Sequence, residues 1–336
     1  MRRLSEVLKE TYGEKVYKLS LTSGCTCPNR DGFLSYGGCT FCSAGGSGEF
    51  AAAGSLEEQL EDAKKRIQSK TDARKFIAYY QAFTNTYGNL ERLQKLYEET
   101  ISREEVVILS LGTRPDCLGD DVLAMLGRLN AVKPVWIELG LQTIHETTAE
   151  RINRQYSLAV FEDAYRRLKA MGITVIVHVI FGLPGETESD MLDTIRHLSN
   201  LSPQLDGIKI QMLNILKGSK LAEEYEQNPF PLLSLEEYAA LIKQSAAILP
   251  AETILHRMTG DGAGNLLIAP EWVRNKKKVL NTLNAVLKEE RNEFCTERIR
   301  GGDGEYHAAS FQLCKTVGNA TIKRLWRKNE VYGNEI

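Results

Sequence analysis

The stretch TVIVHVIF, residues 174–181, is followed at once by GLPGET, residues 182–187. The first run is almost entirely β-branched and apolar, which is typical of a strand covered on both faces in a parallel sheet. The second run places two glycines and a proline where that strand ends, which indicates a turn. The pair predicts a buried strand whose carboxyl end opens into a loop.

The same arrangement recurs on both sides of this stretch. Candidate strands are Val16–Leu21, Lys75–Gln81, Val106–Leu111, Val135–Leu139, Thr174–Phe181 and Gly207–Leu213. Amphipathic segments alternate with them, at Leu56–Gln68, Leu90–Ile101, Asp120–Leu129, Leu158–Met171 and Ser189–Leu198. This periodicity alone permits an open doubly wound sheet. Polar or glycine-containing strings follow strand after strand, however, which favours an α/β fold with a partial (β/α)6 TIM-like barrel and a site at its C-terminal edge.

The pattern changes near residue 234, and we predict three parts. Residues 1–233 form the barrel with an N-terminal cysteine loop, residues 234–300 form a cap of helix and strand elements, and residues 301–336 form a small appendage. Ser234-Leu235-Glu236-Glu237 is a capping box that opens a helix. Basic residues in the appendage indicate a solvated face, with phosphate contact as the less favoured alternative.

Composition excludes several classes of protein. The 336 residues are 43% apolar and 26% charged, which is typical of a globular chain with a sizeable core. A net charge of -2 provides no overall basic field, so contact with nucleic acid would depend on a local patch. The N-terminus has no apolar signal region, and no later window approaches a membrane span. We therefore expect a cytoplasmic protein without membrane contact.

Four of the seven cysteines, Cys25, Cys27, Cys39 and Cys42, lie within eighteen residues. In a reducing compartment such a cluster more often binds metal or performs chemistry than forms disulfides. The Cys39-x-x-Cys42 pair with Cys27 supplies three thiolates and leaves one position open, which fits a [4Fe–4S] cluster with one non-cysteine iron. A zinc site with Cys25 as fourth ligand and a reactive dithiol are the alternatives.

Eight ordered segments carry a resemblance to a known family. They are TCPNRDG, GGCTFCS, FIAYYQAFTNTYG, LSLGTRPDCL, WIELGLQTIHETTAERINR, HVIFGLPGET, DGIKIQMLNILKGSKLAEEYE and ILHRMTGD. From about Lys15 to Ala285 the chain resembles the YhcC/YtqA family of radical S-adenosylmethionine (SAM) proteins, which is related to the radical domain of the Elongator catalytic subunit.

The resemblance implies a [4Fe–4S] cluster on Cys27, Cys39 and Cys42, whose open iron chelates SAM. Reductive cleavage then yields a 5′-deoxyadenosyl radical, with flavodoxin or ferredoxin as the expected electron donor. Cys25 stands where the family has an aromatic or other apolar residue. We interpret it as a bystander, with ligand exchange or oxidation as the alternative.

Residues at the predicted strand ends are candidates for binding SAM: Gln81, Thr84, Asn85, Glu138, Gln142, Arg154, Gly182, Pro184 and Gly185. For the first three, turn capping is the structural alternative. Glu138 lies in an apolar run, where a carboxylate is costly without a partner. The turn at residues 182–186 resembles the adenine-binding turn of the family.

Arg114, Lys209 and Arg257 are the substrate candidates. Arg114 could instead pair with Asp116, and an inward-facing Lys209 would be costly without an anion. His178 lies in an apolar strand and is interpreted as a core histidine. His256 and Arg257 are expected to close the open side of the barrel.

The sequence therefore predicts a radical SAM enzyme. The family resemblance suggests a substrate, the C5 side chain of a tRNA wobble uridine, through conversion of a carboxymethylaminomethyl group to aminomethyl. Two alternatives stay open. One is a radical enzyme acting on a small metabolite or a protein side chain, and the other is a zinc-stabilised binding protein without turnover.

Overall fold

The computed structural model describes residues 1–46, 48, 54–69, 71–260 and 264–300, the last ten of these by backbone alone. The strands are β1 (Arg2–Arg3), β2 (Val16–Leu21), β3 (Lys75–Tyr80), β4 (Val106–Thr113), β5 (Val135–Gln142), β6 (Thr174–Phe181), β7 (Gly207–Met212), β8 (Ile215–Leu216), β9 (Ile254–Arg257) and β10 (Leu267–Ala269). Eight of them form one sheet in the order β1-β9-β7-β6-β5-β4-β3-β2, with every neighbouring pair parallel. Short strands β8 and β10 pair antiparallel beside it.

The helices are α1 (Leu4–Tyr12), α2 (Leu56–Ile67), α3 (Leu90–Ser102), α4 (Asp120–Val132), α5 (Glu146–Arg151), α6 (Leu158–Ala170), α7 (Glu188–Ser199), α8 (Lys220–Gln227), α9 (Leu235–Ile248) and α10 (Lys276–Arg300). Ser55, Ser157, Thr187 and Ser234 begin helices by accepting a backbone N–H with the side-chain hydroxyl. No helix within the described ranges is long and apolar enough to cross a membrane.

The predicted α/β half-barrel is confirmed. The six predicted strands and the five helices between them are present, with bounds that differ by at most three residues. Helices α1, α5 and α8 and the β8–β10 pair were not predicted. Strand β9 lies between β7 and β1, so the predicted cap, residues 234–300, contributes a strand to the barrel sheet itself. The appendage at 301–336 lies outside the described residues.

The outer face of the sheet packs against the helices in one large apolar core. The concave inner face closes at its amino end by a second cluster, which we call the plug. Leu8 of α1 packs there against Val16, Ile77 and Ile108, the first inward residues of three neighbouring strands. Because side chains alternate along a strand, the next inward positions lie one layer above the plug, inside the half-barrel.

Candidate functional site

The layer above the plug is polar, and we call it the charged layer. It comprises Lys18, Tyr79, Ser110, Glu138, His178 and Lys209, one residue each from β2 to β7. Lys18, Tyr79 and Ser110 each lie two positions beyond a plug residue on the same strand. Tyr79 and Ser110 are register partners, as are His178 and Lys209, and contacts to Glu138 join the strands that the register does not align.

Glu138 is the centre of the charged layer, and its side chain is fully buried. Lys18 Nζ and Ser110 Oγ donate to Oε1 at 2.8 and 3.0 Å. His178 Nε2 donates to Oε2 at 2.9 Å, and Lys209 Nζ donates to the same oxygen. Four donors from four strands thus satisfy one carboxylate, as a buried charge requires.

The charges of the layer follow from these contacts. Burial alone would raise the pKa of Glu138, but the ammonium groups of Lys18 and Lys209 and the hydrogen bond from His178 hold it well below its ordinary value. Burial and the neighbouring lysine charge lower the pKa of His178 to about 4, so this imidazole is neutral at neutral pH. Burial also lowers the pKa of Lys209, against the opposing attraction of Glu138.

Tyr79 holds the two lysines in place. The Nζ atoms of Lys18 and Lys209 each lie 4.3 Å from the centre of its ring, and Lys209 also donates to its hydroxyl at 3.2 Å. A ring within reach of two ammonium groups contributes cation–π attraction to both. The layer is therefore a preorganised set of cations around a single carboxylate.

The cysteine loop, residues 24–46, lies at the carboxyl edge of the sheet. The backbone N–H of Cys42 donates to the carbonyl of Cys39 at 2.9 Å, and that of Arg30 to the carbonyl of Cys27 at 2.8 Å. The Arg30 guanidinium donates to the carbonyls of Cys42, Ser43 and Ala44. Asn29 Nδ2 lies 3.6 Å from Cys39 Sγ. These bonds define the shape of the loop.

Two of the predicted ligand thiols act on the third. Burial and the neighbouring Cys42 and Cys27 together raise the pKa of Cys39 to about 12, and Arg114 opposes them. Half-buried thiols on one loop favour metal coordination, because a metal replaces the proton and removes the repulsion between thiolates. In donor chemistry and spacing these residues fit a [4Fe–4S] cluster, which supplies a site for SAM and an electron to cleave it.

Single-ion coordination fits the described residues less well. No three Cys, His, Asp or Glu side chains among them are grouped as ligands of one metal ion. In a cluster each cysteine binds a different iron, so the thiols need not converge on one point. The sulfur of Cys25 is directed elsewhere: it is buried, and it lies 3.6 Å from Nη2 of Arg92 on α3. The cluster ligands themselves stay a prediction.

Several predicted SAM-binding residues already have partners. The Asn85 amide donates to the carbonyls of Tyr80, Ala82 and Gly112 and accepts from Ser23, and the carboxylate of Glu138 is occupied as described above. The fully buried Arg154 donates to the carbonyls of Leu141, Thr143 and Tyr156 and to Glu146. These contacts fix the strand ends, while the binding roles remain predictions.

The other predicted SAM-binding residues line the same edge. Gln142 has a positive φ of 65° and accepts from the Tyr156 hydroxyl at 2.9 Å. Gly182 and Gly185 have φ of 83° and 91°, which a turn directly after β6 requires and which glycine tolerates. Gln81 and Thr84 follow β3. All of these lie at the ends of strands β3, β5 and β6.

The substrate candidates lie in different places. Arg114 forms a bidentate pair with Asp116 at 2.9 and 2.7 Å, and its guanidinium lies 4.8 Å from the centre of the Tyr156 ring. Lys209 belongs to the charged layer, where its anion is Glu138. Arg257, at the end of β9, is the register partner of Lys209 on β7. The interior thus brings Lys209 and Arg257 together, while Arg114 is at the edge near Cys39.

Lys18, Tyr79, Ser110 and Tyr156 were missed by the sequence reasoning. Lys18 gave a usable signal, since it stands between apolar residues in the strand VYKLSL, as Lys209 does in GIKIQM. The argument that an inward lysine needs an anion applies equally to both. Ser110 and Tyr79 offered no such signal, because small hydroxyl and aromatic residues are common in buried strands.

The sequence matches two family patterns: the radical SAM superfamily over residues 24–198 and the radical SAM C-terminal domain over residues 205–289. YtqA of Bacillus subtilis is 44% identical over 84% of this chain and 87% of its own length. The tRNA uridine(34) acetyltransferase of Methanocaldococcus jannaschii is 27% identical over 54% of this chain and 33% of its own. Among solved structures, an N-terminally truncated Elp3 of Methanocaldococcus infernus has a TM-score of 0.60 at 16% identity, covering 80% of this chain and 63% of that one.

Proposed function

This chain belongs to the radical SAM superfamily, in the family of YtqA, and on that premise we propose that it is an enzyme that generates a 5′-deoxyadenosyl radical. The observation that carries the proposal is the placement of Cys27, Cys39 and Cys42 on one hydrogen-bonded loop at the carboxyl edge of the half-barrel. These thiols would hold a [4Fe–4S] cluster, and the neighbouring strand ends would hold SAM. Both sites lie at the edge of the interior that contains the charged layer.

We propose the C5 side chain of a tRNA wobble uridine as the substrate, through conversion of a carboxymethylaminomethyl group to aminomethyl. Two observations support it. A relative that matches about half of this chain is named for uridine 34 of tRNA. The interior also holds Arg257, one of the predicted substrate ligands, beside Lys209, and a guanidinium suits a carboxylate at the end of such a side chain.

The first part is tested by electron paramagnetic resonance on anaerobically reconstituted, dithionite-reduced protein. We expect a reduced-cluster signal that shifts when SAM is added, because SAM binds the open iron. A silent sample containing stoichiometric zinc would overturn the enzymatic proposal.

The substrate is tested by nucleoside mass spectrometry of bulk tRNA from a deletion strain. We expect the carboxymethylaminomethyl nucleoside to accumulate and the aminomethyl nucleoside and its products to fall. An unchanged wobble-uridine profile would remove the tRNA proposal. Complementation with the Cys39→Ala variant is the matched control, because it keeps the protein but lacks a predicted cluster ligand.

A further inference from the structure

Exposed apolar side chains concentrate at one place on the described surface. Six large apolar residues are exposed on the whole described surface. Three of them, Phe33, Leu34 and Tyr36, lie within four residues of sequence. Phe33 and Tyr36 are each 75% exposed. The other three, Val132, Val160 and Met171, are single residues on or beside α4 and α6. Concentrated exposure of this kind marks an interaction site, whereas scattered single residues do not.

The segment that carries these rings, residues 31–36, is a fixed turn that we call the aromatic hairpin. Asp31 and Tyr36 form an antiparallel bridge, and the N–H of Gly32 donates to the carbonyl of Ser35 at 3.2 Å. Gly32 has a φ of 92°, and a Cβ there would lie 2.6 Å from the Tyr36 ring, so glycine allows the ring to lie against the backbone. The rings are therefore presented by a defined structure.

The hairpin is tied to the cysteine loop. The N–H of Asp31 donates to the carbonyl of Cys27 at 3.2 Å, and the N–H of Leu34 donates to that of Pro28 at 2.8 Å. Asn153 Nδ2, from the far side of the loop, donates to Ser35 Oγ at 3.2 Å. A substrate that reacts beside the thiols must therefore approach next to the exposed rings.

The charge beside the rings selects the kind of partner. Exposed Lys220, the first residue of α8, donates through Nζ to the carbonyl of Tyr36 at 3.4 Å and touches Gly37. The carboxylate of Asp31, the acidic group of the hairpin, accepts hydrogen bonds from the N–H of Phe33 and from the hydroxyl of Tyr87. Flat rings beside a lysine are the combination that holds unpaired bases and their phosphates.

We propose that the aromatic hairpin is a stacking site for unpaired bases of an RNA loop, with Lys220 on a flanking phosphate. The inference rests on the proposed function and adds to it how the substrate is held. A base that enters the half-barrel must leave its stack, which is unfavourable. Phe33 and Tyr36 replace the lost stacking for its neighbours at the entrance.

The test compares RNA binding by the reconstituted full chain and two double variants. The probes are an RNA stem–loop with an unpaired loop and a duplex that contains the same stem without the loop. Binding of each probe is measured by fluorescence anisotropy at physiological salt. We expect Phe33→Ala/Tyr36→Ala to weaken stem–loop binding roughly tenfold or more and to leave duplex binding and iron content unchanged. The control, Val132→Ala/Met171→Ala, removes two exposed apolar residues elsewhere on the surface, 69% and 36% exposed, and should bind as the unaltered chain does.

Stem–loop affinity unchanged in the Phe33→Ala/Tyr36→Ala variant would overturn the inference. Slower cluster reduction by reduced flavodoxin with RNA affinity intact would mean that the rings bind an electron-donor protein. A lower melting temperature with RNA affinity intact would mean that another part of this chain packs over the rings. Either result overturns RNA stacking. The proposed function is judged separately by the nucleoside profile of the deletion strain, so it can stand when the hairpin inference fails.

Discussion

The cysteine loop and the charged layer lie in the same half-barrel and treat unfavourable groups in opposite ways. In the charged layer, Glu138 receives four donors and the lysines receive a carboxylate and an aromatic ring. In the cysteine loop, burial and the neighbouring Cys42 and Cys27 raise the pKa of Cys39, and Arg114 is the cation that opposes them. The layer is complete as the chain folds, whereas the loop is built to gain from binding a metal group.

The largest expected effect lies in the loop. Cys39→Ala removes one of three thiols, and we expect complete loss of bound iron after anaerobic reconstitution, measured as iron and sulfide per chain. Cys25→Ala should keep nearly full iron content, because the Cys25 sulfur lies beside Arg92. Equal loss in both variants would show that the ligand assignment is wrong.

The next effect lies in the layer. Glu138→Gln leaves Lys18 and Lys209 buried or half-buried without their carboxylate, and we expect the free energy of unfolding to fall by about 3 kcal/mol. Urea denaturation measures it. If the loss comes from unpaired charge, adding Lys209→Met to Glu138→Gln should recover part of it. A Glu138→Gln variant as stable as the unaltered chain would mean that the layer is not a compensated charge network.

A pH dependence follows from His178, whose pKa of about 4 in the folded chain lies below the ordinary value of about 6.5. Between these values the unfolded chain binds a proton that the folded chain does not. Stability due to the neutral imidazole is therefore present above pH 6.5 and is lost as the pH falls toward 4, by up to about 3 kcal/mol.

The matched variant is His178→Gln, which keeps an N–H donor for Glu138 but does not titrate. Unfolding free energies measured across this pH range should decline less steeply for the variant than for the unaltered chain. Parallel curves would place the acid sensitivity elsewhere, since the carboxylates are common to both proteins.

The smallest expected effect separates structure from binding at the strand ends. Asn85→Ala removes the side-chain hydrogen bonds to the carbonyls of Tyr80, Ala82 and Gly112 and the acceptor of the Ser23 hydroxyl, and we expect about 2 kcal/mol of destabilisation in urea. Titration of SAM into the reconstituted variant checks the predicted binding role. A loss of SAM affinity at unchanged stability would show that Asn85 acts as a ligand rather than as a brace.

Prediction from sequence succeeded where the signal is local. Strand and helix periods identified the half-barrel, whereas the cluster ligands that close spacing suggested stay a prediction. Prediction of the charged layer failed because its contacts join different strands. Glu138 and Lys209 were each recognised as needing a counter-charge, yet they were not recognised as partners of each other. Helix α1 was also missed, since its role depends on the plug, where it packs against residues of β2, β3 and β4.

The position of β1 has a consequence for how the chain assembles. Arg2 and Arg3 pair with Ile254 and Leu255, and α1 then leads to β2 at the opposite edge of the sheet. Strand β1 therefore gains its partner only when β9, far along the chain, has formed. Contacts so distant in sequence form late, because loop closure precedes any gain from them. Pairing of β1 with β9 is thus a final step of folding, and it takes place only once β9 has its place in the sheet.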